Sequence, residues 1–310
     1  MRVVVAGLGV QGYKRRKFAG ADYVCCVDPV NPEADYKSLT DVPLDKYDAV
    51  LACIPDLPKI ELMNYCVDHG KHVLVEKPLW AEQGADIEAL ERRARDKGVV
   101  LYTAYNHRFE PHYVRMRDLI VSGKLGRIYS CRMFYGNGTA RLVRDSAWRD
   151  HGAGVLPDLG SHLLDTCRFW FGDIAPDFSV TSSNRFENRA PDHVVIANAS
   201  SAPRIELEMT LLMWRNHFTC DILAENGTAH ISSLCKWGPS TFTFRQRILP
   251  SGRPPEESVT LVQDDPTWEA EYAHFKKLCS SGAKTDLSSD LWLHNVLSRL
   301  GESAVAGAKE

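Results

Sequence analysis

The chain has 310 residues, 44% hydrophobic and 25% charged, the composition of an ordinary globular protein with room for two domains. Its 37 basic and 40 acidic residues leave a formal net charge of −3, so there is no basic surplus for nucleic acid and no single-sign tail. Nine cysteines, scattered through apolar runs such as "YVCCVD" and "VLACIP" with no C-x-x-C pair, argue against a disulfide framework or a zinc site and for reduced thiols in a cytoplasmic protein.

The opening "MRVVVAGLGVQG" has one basic residue and an apolar run, but glycines break the run and no cleavage site follows. No apolar stretch approaches the roughly 20 residues a membrane helix needs. A soluble, unprocessed chain is expected.

The first hundred or so residues alternate strand and helix. "RVVVAGL", "YVCCVD", "YDAVLACI", "KHVLVE" and "GVVLYTAY" read as short β-branched strands. Between them "LPKIELMNYCVDHG" and "AEQGADIEALERRARDKG" have helical apolar spacing and end in glycine. Continuous apolar strands separated by helices imply a parallel sheet covered on both faces.

After about residue 125 the pattern changes. "RIYSCRMFYGN", "DFSVTSSNRF", "HVVIANAS", "RIELEMTLL", "HFTCDILAE", "GTAHISSL", "STFTFRQRIL" and "ESVTLVQ" read as successive strands. The only clear helix near their start carries "DLGSH", and two more helices close the chain around "PTWEAEYAHFKKLCSSG" and "SSDLWLHNVLSRLGESAV". The predicted fold class is α/β: a dinucleotide-binding domain over 1–120, then an α+β domain with an open, mostly antiparallel sheet over 121–310, the last helix packing back on the first domain.

"VVVAGLGVQG" places Gly7, Gly9 and Gly12 in G-x-G-x-x-G spacing, directly after a strand and opening a helix. The first glycine makes the tight turn, the second lets backbone approach a pyrophosphate, and the third allows close helix–strand packing. Val10 and Gln11 lie between them, at a helix N-terminus where free N–H groups and the dipole favour phosphate. Asp28 ends the next strand sixteen residues after Gly12, close to the roughly 20 expected for an acid that binds the adenine ribose diol. A carboxylate there favours NAD over NADP. The basic run "YKRRK" at 13–17 reads as a solvated helix face, with Arg15 or Arg16 as an alternative phosphate contact.

Two further motifs carry titratable groups. Lys77, in "HVLVEKPLW", follows a strand whose carboxyl end should border the cofactor crevice. It is either half of a structural ion pair or an electrophilic group aimed at a substrate oxygen. Asp158 and His162, in "DLGSH", lie four residues apart on an apolar helical stretch, so an α-helix puts both on one face. They are either a buried structural pair or the acid/base end of an active site.

In its motifs "GLGVQG", "CIPD", "GKHVLVEKPL", "YNHRFEP", "GRIYS" and "WRDHGAGVLPDLGSHLLD", and in its final helices, the chain resembles the Gfo/Idh/MocA oxidoreductases, named for glucose–fructose oxidoreductase and inositol dehydrogenase. The resemblance runs in order along nearly the whole chain. It implies a catalytic lysine at Lys77 and an acid/base histidine at His162, with Asp158 orienting it or holding a substrate hydroxyl. Ile54, Pro55 and Glu76 fall where the family lines the cofactor. Asn106 falls near the nicotinamide and Arg108 near the substrate. Trp148 and Arg149 match a segment that often reaches the cofactor. Two departures, Lys59 and Arg15 where many members carry histidine, sit outside the expected chemistry.

The implied reaction moves a hydride between a nicotinamide and a secondary alcohol or ketone of a sugar, polyol or sugar nucleotide. His162 takes the hydroxyl proton in oxidation, and Lys77 stabilises the alkoxide. The cofactor expectation is NAD, with NADP as the alternative; no metal, nucleic acid or membrane is expected, and a homodimer or homotetramer is. Two other functions fit the same fold: an NAD-dependent glycosidase or lyase-like enzyme, and a non-enzymatic dinucleotide sensor. The other histidines read as structural, with His107 held open because it lies between Asn106 and Arg108.

Overall fold

A computed structural model describes residues 1–146, 149–200 and 202–309. Trp148, matched above to a cofactor-reaching segment, lies outside the described residues.

Residues 1–106 together with 266–295 form one compact unit, and 107–265 with 296–310 form the other. The sequence reading drew a single boundary at 120/121; here the division falls after Asn106, and the chain returns to the first unit for 266–295.

The first unit begins with β1 (Val3–Ala6), α1 (Val10–Ala19), β2 (Tyr23–Val27), β3 (Ala49–Ala52), α2 (Lys59–Asp68), β4 (His72–Glu76), α3 (Gly84–Asp96) and β5 (Leu101–Ala104). All five strands fall where the apolar runs predicted them. They pair in parallel in the order β2-β1-β3-β4-β5. Val3, Val4 and Val5 are fully buried, as are Val50 and Leu51, because a parallel sheet covered on both faces has no solvent side. The order reverses between β1 and β3, and ligands of such sheets bind outside the strands' carboxyl ends at that point.

The second unit contains α4 (Pro111–Val121), β6 (Ile128–Gly136), the short α5 (Ala140–Arg144), a π-helical turn over Leu156–Gly160, α6 (Ser161–Phe171), β7 (Phe178–Asn184), β8 (His193–Asn198), β9 (Arg204–Thr210), β10 (His217–Ala224), β11 (Gly227–Ser232), β12 (Ser240–Gln246) and β13 (Glu256–Leu261). Its sheet runs β13-β12-β11-β10-β6-β9-β8-β7 and is antiparallel except for the β6–β9 pair. All eight strands match the sequence reading. The alternation is explicit in β10, where Phe218, Cys220, Ile222 and Ala224 are buried, the signature of a sheet with one covered face.

Three local features differ from the sequence reading. Helix α4 was not foreseen; Pro111 at its first turn is the start signal. "DLGSH" is not a continuous α-helix: Asp158 lies in the π turn, and the α-helix starts at Ser161. The closing helices are α7 (Thr267–Ser281) and α8 (Ser288–Ala306); α7 belongs to the first unit, and α8 contributes residues to both.

No described helix is long and apolar enough to cross a membrane. All nine cysteines are free thiols, seven of them buried.

Candidate active site

In the first unit, the loop after β1 is built by close approach. Gly7 adopts φ +90°, and a Cβ there would lie 2.3 Å from the carbonyl oxygen of Cys53. A Cβ on Gly12 would lie 1.9 Å from the carbonyl oxygen of Gly7. Neither position tolerates a side chain, because the obstacle in each case is backbone. Gly9 differs: nothing lies within 4 Å of where its Cβ would be. It caps the N-terminus of α1 in extended conformation, with no side chain bonded to the cap. The space a side chain would fill stays open for a ligand, as the pyrophosphate of a dinucleotide requires.

Asp28 holds this loop. Its Oδ2 accepts from the Leu8 N–H at 2.7 Å, and its Oδ1 from the N–H groups of Val30 at 2.9 Å and Asn31 at 2.8 Å. Burial works against the charge, but the N–H donors of Asn31, Leu8 and Val30 together outweigh it and hold the carboxyl below its usual range. An ionised carboxylate has about four acceptor sites, so three backbone donors leave room for a ribose hydroxyl. Val10 and Gln11 are exposed at the start of α1, and Pro55 is exposed after β3. Ile54 Cγ2 would lie 3.3 Å from a Cβ on Gly7. These residues fit a nicotinamide dinucleotide.

The "EKP" turn is anchored on both sides by the two residues that depart from the family pattern. Arg15, read as part of a solvated face, is only 2% exposed. Its Nε donates to Glu76 Oε1 at 2.8 Å, its Nη1 lies 2.7 Å from Glu271 Oε2 on α7, and its guanidinium sits 4.4 Å from the ring centroid of Trp268. Burial disfavours the cation, yet Glu271 and Glu76 keep it protonated. Glu76 therefore meets Arg15, beyond any cofactor contact. Lys59 is equally buried, and its Nζ donates to Asp56 Oδ1 at 2.7 Å and to the carbonyl oxygen of Pro78 at 2.8 Å. Burial pushes the Lys59 ammonium down, partly offset by Asp56. The half-buried Lys77 thus stands between an anchored Glu76 and an anchored Pro78. Asn106 Nδ2 donates to Thr267 Oγ1 at 2.8 Å.

In the second unit, His162 lies in the first turn of α6 and is 8% exposed. Its ring stacks on His107, with centroids 4.0 Å apart and planes 20° apart. Lys236 Nζ lies 3.0 Å from His107 Nε2 and 3.5 Å from the Tyr135 hydroxyl. Tyr135 packs against both histidines, at 5.6 Å from His107 and 6.1 Å from His162. Burial, then the charge of Asp158, pushes the Tyr135 phenol up. Asp158 is itself partly exposed and lies 3.5 Å from Arg149 Nη2.

Arg108 holds its guanidinium against the buried Asp165, donating through Nε to Oδ2 at 3.0 Å. Burial pushes the Asp165 carboxyl up, and Arg108 pulls it back. Arg108, assigned to the substrate from the sequence, thus has a structural partner. Gly160 also has a reason the sequence did not give: a Cβ there would lie 2.8 Å from Met209 Sδ of β9 and 3.0 Å from Leu156 Cδ1. It keeps the turn close to the sheet. Lys236, Tyr135 and Glu271 were missed: Lys236 meets His107 and Tyr135 across more than 100 residues, and Glu271 meets Arg15 across more than 250.

A parallel sheet with a glycine loop at its switch point, followed by an open, mostly antiparallel sheet, defines a two-part protein with a Rossmann-type nucleotide-binding unit. The chain belongs to the Gfo/Idh/MocA family: residues 1–105 match the family's "Oxidoreductase family, NAD-binding Rossmann fold" model and 113–230 its "GFO/IDH/MocA C-terminal domain" model. Among curated proteins, it is 29% identical over 158 residues to a levoglucosan dehydrogenase of Pseudarthrobacter phenanthrenivorans, a stretch covering 49% of this chain and 40% of that one. It is 35% identical over 112 residues to a scyllo-inositol 2-dehydrogenase (NADP(+)) of Bacillus subtilis, covering 34% and 30%. The chain thus spans well under two thirds of the length of these relatives. A solved levoglucosan dehydrogenase in complex with NADH superposes with TM-score 0.83 at 18% identity, covering 99% of this chain and 98% of that one, a likeness of fold.

Proposed function

We propose that the protein is a nicotinamide-dependent dehydrogenase that oxidises a secondary alcohol of a sugar, polyol or related substrate, or reduces the corresponding ketone. The observation that carries this reading is the loop at the switch point: Gly9 opens onto free space while Asp28, ionised, accepts from the Leu8 N–H. Gly7, Gly9, Val10, Gln11, Gly12, Asp28, Ile54, Pro55, Glu76, Lys77 and Asn106 are the proposed cofactor contacts. The dinucleotide supplies hydride acceptance and donation.

His162 is the proposed acid/base. It takes the proton from the substrate hydroxyl in oxidation and returns it in reduction. The stacked His107 supports this role by fixing the plane of the ring. Lys77 is proposed to stabilise negative charge on the substrate oxygen. The anchoring of Glu76 by Arg15 and of Pro78 by Lys59 supports it, because a pre-set ammonium needs no reorganisation during the reaction. Asp158 and Arg108 are proposed substrate residues.

NAD is the proposed cofactor, since an ionised Asp28 repels a 2′-phosphate. NADP stands as the alternative, with Lys37 as the cation beside Asp28. A homo-oligomer in the cytoplasm is the proposed state. The test is NAD and NADP binding to the purified chain, then reduction of the bound nucleotide by a panel of polyols, sugars and sugar nucleotides. Reduction by at least one panel member is expected. Substrate turnover with retained cofactor and no net reduction would instead indicate transient-oxidation glycosidase chemistry, and failure to bind either nucleotide would overturn the reading.

A further inference from the structure

Two side chains of the second unit that the expected chemistry does not use, Lys236 and His107, lead to His162. Lys236 reaches His107, and His107 stacks on His162. We propose that Lys236 and His107 are a positioning pair for His162: the ammonium fixes the tautomer and plane of His107, and the neutral His107 in turn holds the His162 ring with the ammonium behind it. The effect on rate rests on the reading of His162 as the acid/base; the structural coupling does not.

The chemistry of the contact gives the direction. An ammonium has three donors and no acceptor. At 3.0 Å from Lys236 Nζ, His107 Nε2 must be the acceptor, so its proton sits on Nδ1. Protonating His107 would remove that acceptor and set two cations against each other. His107 therefore stays neutral while Lys236 is charged. An imidazole stacked 4.0 Å away meets a neutral ring with a cation behind it, which disfavours a second positive charge on His162. That is the bias a base needs near neutral pH.

Other groups face this stack. Tyr135 packs on both rings, its hydroxyl lies 3.5 Å from Lys236 Nζ, and the charge of Asp158 acts on it. Tyr113 meets the edge of His107 at 5.8 Å. Asp158 is drawn to Arg149. On the Lys236 side, Glu110 is buried: Cys235 Sγ donates to its Oε2 at 2.8 Å, burial pushes its carboxyl up, and both Asp265 and Lys236 act on it. The Asp158 carboxylate works against the effect of Lys236 on His162, so replacing Lys236 alone reads its own contribution.

The test is a histidine side-chain NMR titration of the full chain as purified, comparing wild type, K236M, K236R and H107Q. The expected result is a His162 midpoint raised by about one pH unit in K236M, near wild type in K236R, and a changed His162 ring shift in H107Q. If K236M does not fold, K236Q takes its place. A His162 midpoint in K236M or K236Q within about 0.2 units of wild type, well inside the scatter of ordinary histidines, overturns the positioning pair. H162N is assayed separately for turnover. Full turnover in H162N would overturn the catalytic reading while leaving the titration result standing, so the two failures are distinguishable.

Discussion

Arg15 donates through Nε to Glu76 Oε1 at 2.8 Å, and this bond ties the first helix to the strand end that carries Lys77. The same guanidinium meets Glu271, which is fully buried. A buried carboxylate that loses its cation keeps its desolvation cost and loses the attraction that offset it. Arg15→Met is expected to destabilise the fold by about 3–5 kcal/mol, read by denaturant unfolding. Adding Glu271→Gln is expected to recover part of that loss, since the buried charge is then gone. An Arg15→Met chain as stable as wild type would show that the ion pair does not hold the turn.

Much of this architecture was legible in the sequence, and what was not has two causes. The parallel strands were readable because covered sheets need continuous apolar runs, and β6 to β13 because one-sided sheets need alternation. The glycine spacing announced a backbone close approach, which Gly7 and Gly12 show against Cys53 and Gly7. The basic stretch "YKRRK" hid Arg15, because the acid that makes its burial possible lies on α7, more than 250 residues away. Lys236 was silent for the same reason: only the fold brings it to His107. The π turn at Asp158 was not readable either, since α- and π-helical turns use the same residue types.

The glycine loop separates folding from binding. Gly12→Ala would place a Cβ 1.9 Å from a backbone oxygen, so loss of the folded chain or a large fall in stability is expected. Gly9→Ala meets nothing within 4 Å, so its stability should stay within about 0.5 kcal/mol of wild type. Its dinucleotide affinity should fall, because the methyl enters the space the pyrophosphate needs. Thermal unfolding paired with nucleotide titration checks both, and unimpaired binding by Gly9→Ala would contradict the loop's proposed role.

Stability should decline on mild acidification. Burial holds the pKa values of His72, His112 and His294 below the ordinary histidine value. In the unfolded chain these rings take up protons near pH 6.5, while in the folded chain they resist. The unfolded state then binds more protons, so stability is complete above about pH 6.5 and falls as pH drops from there toward the lower folded values. Melting temperature measured between about pH 7.5 and 5.5 should fall with pH, and His112→Phe should flatten the slope. A flat or rising profile on acidification would contradict the buried neutral histidines.

Arg108 and Asp165 make a second removable pair. Arg108→Ala leaves the Asp165 carboxyl, which is 1% exposed, without its bidentate partner. A loss of about 3 kcal/mol is expected, with a rise in stability as pH is lowered toward protonation of Asp165. Arg108→Ala with stability unchanged and substrate KM raised would assign the residue to substrate alone.

The most direct test of the dehydrogenase reading is nucleotide reduction by Lys77→Ala beside wild type, with substrate saturating and nucleotide binding measured on both. The expected result is turnover lowered by about 10²-fold or more, the scale of a lost charge-stabilising group, with dinucleotide affinity changed by only a few-fold. Turnover within about twofold of wild type would contradict the assignment of Lys77, and with it the proposed chemistry of the site.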